Sequence, residues 1–392
     1  MTHNCPMRVV MVSKALVVGA YQRKAQEIAQ LGVDLTVLVP PYWQDSRGRH
    51  VAEEAFTEGY TFKVIPMRFN GHFHLHYYPT LAHELRHLQP QILHMDEEPY
   101  NLSTWFAMRA CQKLGILGTF FTWQNIDKRY PPPFGWWEKA VLQNTSVAIA
   151  GNQASGQILR RKGFQNEIIT IPQFGVDPNI FKPQTRSDVT STPSTIKIGY
   201  AGGLVPEKGV DLLIRACAGL EGNWSLEIVG SGVDEKRLRK LCVELGVINR
   251  VRLGRSLSSM EMPDFYRGLD IFVLPSRTMS NWKEQFGRVL IEAMASEVVV
   301  VGSNSGEISN VIGNAGLIFE EGNVDTLRER LFYLLKHPQE RARLRQAGRH
   351  RVLQQFTMKQ IAVQTVEAYN ELLRNEQCRN HTGKTTLFTG TR

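Results

Sequence analysis

The stretch KEQFGRVLIEAMASE, residues 283–297, sets two carboxylates eight residues apart, Glu284 and Glu292, around a Phe286–Gly287 pair at the head of an apolar helical pattern. A buried carboxylate is costly unless something hydrogen-bonds to it, so Glu292, two turns into the helix, needs a partner. A ligand's hydroxyls would serve, and a ribose carries them. Glu284 falls at or before the helix start, where Gly287 and the amides of Arg288 and Val289 would form a first turn suited to an anion. Upstream, GYAGGLVPEKGVDLLIRA (199–216) runs from a strand through Gly202 and Gly203 into a helix with Lys208 and Gly209 at its entry. Glycines let the backbone approach a ligand, a helix start presents amides, and lysine adds a point charge. That combination suits a diphosphate; a plain strand-loop-helix turn with a surface lysine is the alternative. A further turn, EIVGSGVDEKRLRKL, has Gly230 and Gly232 but no third glycine, and no acidic residue ends the next strand, which speaks against a nicotinamide dinucleotide.

The first half carries weaker signals. SKALVVGAYQRKAQEIA is a strand end, a loop with Gly19 and Ala20, and a helix. QILHMDEEPYN ends a strand in Asp96, Glu97 and Glu98, which could meet an acceptor hydroxyl or stand as solvated loop carboxylates. TFFTWQNIDKRYPPPFGWW ends the next strand in Gln124 and Asn125, amides that hydrogen-bond but do not shuttle protons. Its aromatic loop, Tyr130 to Trp137, suits stacking on a sugar, a membrane interface or core packing. In NGHFHLHYYP, His72, His74 and His76 would share one face if extended, but no cysteine or carboxylate completes a metal site locally, so an exposed loop is expected and no metal. The run Arg160 to Lys162 reads as a solvated helix end favoured by the dipole, with lipid headgroups as the alternative.

These residues sit on a repeating grammar. RVVMVS, VDLTVLVP, TFKVIPM, PQILHM, LGTFFTW and SVAIAG in the first half, and TIKIGYAGG, WSLEIVGSG, RVRLG, DIFVLPS, VVVVGS and AGLIF in the second, are short apolar runs, each followed by a turn and a helical pattern. Near-continuous apolar strands alternating with helices imply parallel sheets covered on both faces. The fold class is therefore α/β with two Rossmann-like domains, 1–180 and 181–355, joined by a Pro/Ser/Thr-rich linker over 182–194. Ligands bind outside the carboxyl ends of such strands, so the cleft between two facing sheets is the expected site. A helix over 356–374 closes the folded part, and 375–392, poor in apolar residues, is expected to be disordered.

The 392 residues, 42% hydrophobic and 21% charged, describe a soluble globular chain. Five scattered cysteines without close pairs fit a reducing cytoplasm, and no apolar run reaches the length of a membrane span. The net charge of +9 is spread out, with no basic tract of the kind that binds nucleic acid, and allows a peripheral seat at the inner face of a membrane.

The series GGLVPEKG, LEIVGSG, FYRGLDIFVLPS, EQFGRVLIEAMAS, SNSGEISNVI and AGLIFEEGNVDTLRERL resembles the C-terminal domain of glycosyltransferase family 4, retaining enzymes of the GT-B fold that use nucleotide-sugars. IPQFGVDPNIFKP is similar to that family's inter-domain segment and FTMKQIAVQTVEAYNELL to its last helix, which crosses back to the N-terminal domain. The resemblance implies that Glu292 binds the donor ribose, Glu284 the hydroxyls of the transferred sugar, and Lys208 with the Phe286 to Val289 amides the diphosphate. It sets Gly306, Glu307 and Ile308 against sugar or phosphate, Arg255 and Leu257 against the base, and Gly19 near the diphosphate. Glu97, Glu98 and Gln124 fall on the acceptor side; Glu284, Lys208 and Asn125 are the implied catalytic residues, Asn125 standing where many members place a histidine that contacts the sugar. Gly203 stands where the family commonly has arginine, which leaves Lys208 as the main cation with Arg288 as a substitute. No Asp-x-Asp motif occurs; metal-independent transfer of a hexose, glucose from UDP-glucose foremost, to a glycan or lipid-linked glycan of polysaccharide assembly is the implied activity, with no cofactor. An epimerase or phosphorylase on the same fold, or a polyanion-binding protein, is the rival reading.

Overall fold

The computed structural model describes residues 6–45, 48–184 and 195–385, with side chains to Glu376; most of the expected linker and the last seven residues lie outside that range. The described residues fall into two compact units, one within Met1–Phe174 and Met358–Arg392, the other within Gly175–Thr357.

The first unit holds β1 (Arg8–Val12), β2 (Asp34–Val39), β3 (Tyr42–Asp45), β4 (Gly48–Val51), β5 (Thr61–Val64), β6 (Ile92–Met95), β7 (Leu117–Thr122), β8 (Val147–Ala150) and β9 (Glu167–Thr170). Seven of these form one sheet in the order β5-β2-β1-β6-β7-β8-β9, every pair parallel. Its helices are α1 (Arg23–Gln30), α2 (Leu81–Leu88), α3 (Leu102–Leu114), α4 (Phe134–Gln143) and α5 (Gln153–Arg161). Each apolar run of the sequence holds a strand, and the central ones are covered on both faces: β6 and β8 are buried at every position. The edge strands β5 and β9 share one half-exposed pattern, and the β3–β4 antiparallel hairpin lies outside the repeating pattern altogether.

The second unit holds β10 (Ile196–Ala201), β11 (Trp224–Val229), β12 (Val251–Gly254), β13 (Ile271–Leu274), β14 (Val299–Ser303) and β15 (Gly316–Phe319), ordered β12-β11-β10-β13-β14-β15 and parallel throughout. Its helices are α6 (Val210–Ala218), α7 (Glu235–Glu244), α8 (Met262–Arg267), α9 (Arg288–Ala295), α10 (Ile308–Ile312), α11 (Val324–Lys336) and α12 (Pro338–Gln355). The strand order reverses at β10, flanked by β11 on one side and β13 on the other, and a crevice outside the carboxyl ends at such a reversal is where open α/β sheets bind ligands.

The last helix, α13 (Met358–Thr385), belongs to the first unit. Ala362, Tyr369 and Leu372 pack with Val9, Ala25 and Ile28, while Ile361 and Ala368 pack with Phe121, Ile149 and Ile171. The Tyr369 hydroxyl lies 2.7 Å from His94 Nδ1 in β6. The disorder expected from 375 onward is corrected as far as Thr385: the helix continues through it. A helix already formed from Met358 extends at the cost of propagation alone, without a new nucleus.

Candidate active site

In the second unit the loops at the carboxyl ends of the strands meet one another through glycines. A Cβ on Gly230 would come within 1.9 Å of the Gly202 carbonyl oxygen, and one on Gly232 within 2.2 Å of that of Leu204. Ser256 Oγ, after β12, donates to Ser231 Oγ at 3.0 Å, which joins a third loop to the same edge. Past β10, a short 3-10 turn over Pro206–Lys208 ends at Gly209 with φ +65°, where a Cβ would strike the Pro275 carbonyl oxygen. This packs the Lys208 loop against the end of β13.

That approach sets up the central ion pair. Lys208 Nζ donates to Glu284 Oε2 at 2.7 Å, Ser276 Oγ donates to the same oxygen at 2.9 Å, and the ammonium sits 4.6 Å from the centre of the Trp282 ring. Gly306, at φ +59°, brings the loop after β14 so close that a Cβ there would lie 2.0 Å from the Glu284 carbonyl oxygen, and the Glu307 amide donates to that oxygen at 3.2 Å. Glu307 itself accepts from Asn310 Nδ2 at 3.1 Å. Gly287, at φ +81°, turns the chain into α9, and Phe286 packs edge-on to Phe356. Glu292 is 6% exposed; the Tyr266 hydroxyl donates to its Oε2 at 2.9 Å and Arg288 Nε lies 3.0 Å from its Oε1. Burial pushes this carboxyl up, with Arg288 and Tyr266 opposing. The partner that the buried glutamate requires is thus supplied by the chain itself, and two of the carboxylate's roughly four lone-pair sites remain.

Arg255 turns to Glu261 and to the Ser256 carbonyl oxygen in an exposed loop. Leu257 lines a groove of about 650 Å³ with Glu261, Asp264 and Phe265, over the β10–β12 edge of the sheet. Lys208, Glu284 and Glu292 do not line that groove.

In the first unit Asp96, Glu97 and Glu98 are all buried, so the reading of solvated loop carboxylates is overturned. Asp96 accepts from Ser13 Oγ at 2.7 Å and Gln173 Nε2 at 2.9 Å. Glu97 is paired with Lys14, and His76 Nε2 lies 3.3 Å from its other oxygen. Burial alone would raise the Glu97 carboxyl, but Lys14 and His76 hold it at about 2. Glu98 accepts from Thr122 Oγ1 at 2.6 Å and the Trp123 amide at 2.8 Å, yet burial pushes it up to about 7.

The two neighbours therefore act on stability in opposite senses. Glu97, depressed, stabilises the fold above pH 4.5, a contribution lost as pH falls toward 2. Glu98, raised, favours the protonated native form, so its contribution is full below pH 4.5 and is lost as pH climbs to about 7. Glu98→Gln is expected to be more stable than the parent by about 2–3 kcal/mol at pH 8 and by little at pH 4; chemical denaturation across that range checks it.

His72, His74 and His76 do not share a face. The His76 amide bonds back to the His72 carbonyl oxygen, which turns the segment. His76 is buried on Glu97, while His74 sits 5.3–5.8 Å from the rings of Phe73, Tyr100, Tyr130 and Phe134. Burial lowers the His74 pKa despite its contact with Asn101. Among the described residues no three His, Cys, Asp or Glu side chains are grouped to hold a metal. Gly19 is buried and its amide donates to Glu53 Oε2 at 2.8 Å, so the amide expected to face a diphosphate is engaged within its own unit. Lys162 is also corrected: it is no solvated helix end but donates to Gln124 Oε1 at 2.9 Å and Glu138 Oε1 at 2.5 Å. Gln124 and Asn125 are each 8% exposed, and Gln124 Nε2 is buried with no hydrogen-bond partner among the described residues.

Residues 181–351 match the family model of glycosyl transferases group 1, and residues 22–180 that of Glycosyltransferase Family 4. The chain belongs to glycosyltransferase family 4. Among curated relatives, this family 4 chain is 27% identical to the MMP alpha-(1->4)-mannosyltransferase of Mycolicibacterium hassiacum over 61% of its own length and 60% of the relative's. It is 36% identical to a GDP-mannose-dependent monoacylated alpha-(1-6)-phosphatidylinositol monomannoside mannosyltransferase of Corynebacterium glutamicum, over 45% of its length and 50% of the relative's. The chain thus spans 50–60% of these two relatives. Its fold is that of the sucrose-phosphate synthase of Thermosynechococcus elongatus (TM-score 0.70, 18% identity, 94% and 100% of the two chains) and of Anabaena HepE in complex with UDP (0.68, 18%, 93% and 100%). Two Rossmann-like domains of the GT-B type are the architecture they share.

Several residues of these clusters escape sequence reading. Tyr266 and Ser276 lie 26 and 8 residues from the carboxylates they bond, and Lys14 lies 83 from Glu97. FYRGLD and LPS mark the positions of Tyr266 and Ser276 in the family series, but nothing local pairs Lys14 with Glu97.

Proposed function

We propose that this family 4 chain transfers a hexosyl group from a nucleoside diphosphate sugar to a hydroxyl of a glycan or lipid-linked glycan, with the anomeric configuration kept. The observation that carries this reading is the Lys208–Glu284–Ser276 cluster at the carboxyl ends of β10 and β13, beside the glycine-led start of α9. Lys208 has three donors and gives one to Glu284; the others, with the amides around Gly287 and the Arg288 guanidinium, suit a diphosphate. Glu292, pre-aligned by Tyr266 and Arg288, has lone pairs left for the two hydroxyls of a ribose. Glu284 and the clasped Gly306–Glu307 turn suit the sugar. In the reaction the bond from the anomeric carbon to the diphosphate oxygen breaks with its electron pair going to phosphate. The acceptor oxygen bonds to that carbon on the same face, and its proton passes to the departing phosphate. Fixed donors stabilise the developing charge without reorganisation. Glu97, Glu98 and the buried Gln124 amide are the acceptor-side groups of this reading, and Asn125 joins Glu284 and Lys208 as a catalytic candidate.

The family resemblance implies UDP-glucose as the commonest donor, whereas the Corynebacterium relative's name specifies GDP-mannose, so both belong in the test. Nucleotide release from UDP-glucose, UDP-galactose, UDP-N-acetylglucosamine, UDP-glucuronate and GDP-mannose, each with EDTA, is expected to single out one donor and to vanish in Glu292→Ala. No release and no binding across the panel would refute the reading. Gly203 is exposed, lacks a positive φ, and a Cβ there would meet only Val205 at 3.7 Å. Gly203→Arg is therefore expected to fold normally and, by adding a cation, to lower donor KM about fivefold, roughly 1 kcal/mol.

A further inference from the structure

Between the end of β5 and the end of α4, residues 65–143, the chain carries seven lysines and arginines and six acids. Folding separates them. Arg68, Arg86, Arg109, Lys113, Lys128, Arg129 and Lys139 are all exposed. Glu84, Asp96, Glu97, Glu98 and Glu138 are buried, and the one exposed acid, Asp127, is paired with Arg161. The surface of this segment is accordingly basic, although its sequence is nearly neutral.

The same segment exposes apolar side chains. Trp136 is 68% exposed, Phe69 58%, Phe73 46%, Phe106 44% and Leu75 38%. Phe69, Phe106 and Phe73 belong to one connected band, while Trp136 and Leu75 join it only through their chain neighbours Trp137 and His74. Ring contacts run from Phe69 to Tyr77 (6.1 Å), Phe106 (5.5 Å), Trp105 (4.9 Å), Trp137 (5.9 Å) and Phe134 (5.3 Å), then through His74 to Phe73. The cations lie along the band rather than apart from it. The Arg109 guanidinium covers Trp105 at 4.8 Å. Phe106, Arg109 and Lys113 follow one another at helical spacing on α3, as Trp136 and Lys139 do on α4.

We infer that the α3–α4 face, with the 68–77 loop, docks on the surface of an anionic lipid bilayer. Tryptophan and phenylalanine at such an edge enter the headgroup boundary, while lysine and arginine meet the acidic headgroups. The aliphatic Leu75 and the mixed band suit an apolar boundary layer better than they suit stacking bases. This docking requires nothing of the donor chemistry proposed above.

The test is co-sedimentation of the full chain with phosphatidylcholine vesicles, with or without phosphatidylglycerol, and competition by single-stranded DNA. Binding is expected to be at least tenfold stronger to the anionic vesicles and to weaken with salt. The triple variant R109E/K113E/K139E should lose it tenfold or more, as should F106S/W136S. F106L/W136L should keep it, since leucine enters a bilayer boundary but does not stack on bases. Thermal melts and donor turnover, unchanged in all three variants, establish that the fold is intact. Binding that ignores lipid charge, survives the charge reversal, prefers DNA, or fails in the leucine variant would overturn the proposal.

Discussion

Glu284→Gln is expected to lower kcat by about a hundredfold to a thousandfold while changing donor KM by less than about threefold. The amide is nearly isosteric and still accepts from Ser276, so the loop after β13 keeps its place. What is lost is charge: Lys208, held by Glu284 at 2.7 Å, no longer has its anchor, and the sugar hydroxyls lose a charged acceptor. Those interactions matter most when charge builds on the departing diphosphate, so the deficit falls on kcat rather than on binding. Steady-state kinetics with the donor identified by the panel measures it. A kcat within twofold of the parent would remove Glu284 from the chemistry.

Glu292→Ala should act on two observables at once. Donor KM is expected to rise by more than about a hundredfold, the loss of two ribose hydrogen bonds to a charged acceptor at about 1.5–3 kcal/mol each. Stability should fall by about 1–3 kcal/mol as well, because the fully buried Tyr266 hydroxyl would be left without its acceptor. Glu292→Gln separates the two effects: it still accepts from Tyr266 and should recover most of the stability, yet not the donor affinity. Urea unfolding beside KM measurements resolves them. If the glutamine variant bound donor as well as the parent did, the ribose assignment would be wrong and Glu292 would be a structural carboxylate.

The central strands were legible because a parallel strand buried on both faces must be apolar along its length; β5, no more buried than β9, was marked by Phe62 and Val64 within TFKVIPM. β9 was not legible, and β3–β4 are short and polar-faced, so they do not write that pattern. Glycine positions were legible too, since Gly209, Gly287 and Gly306 mark turns that side chains rarely adopt. Partnerships were not. Periodicity marks Glu292 as buried but is silent on Tyr266, which arrives from another helix, and the charge of DEEP gives no sign that all three acids are buried. Lys162 was misread for the same reason: helix-end composition describes a surface only when no neighbour covers it. The helix past residue 375 was missed because neither apolar content nor propensity marks the extension of a helix already nucleated upstream.

The placement of α13 bears on how the protein is made. The residues of the second unit leave the ribosome as one continuous segment, whereas the first unit begins before that segment and ends after it. During synthesis the apolar surface around Val9, Ile28, Phe121 and Ile149 stays open until Ile361, Tyr369 and Leu372 emerge. Each of those larger side chains buries roughly 1.5–3 kcal/mol of apolar contact. The unit translated first is thus the last to be completed, and it awaits its covering helix while the later one is already whole. A chain cut short before Met358 would release a finished second unit tethered to an unfinished first, the kind of exposed core that chaperones and proteases recognise.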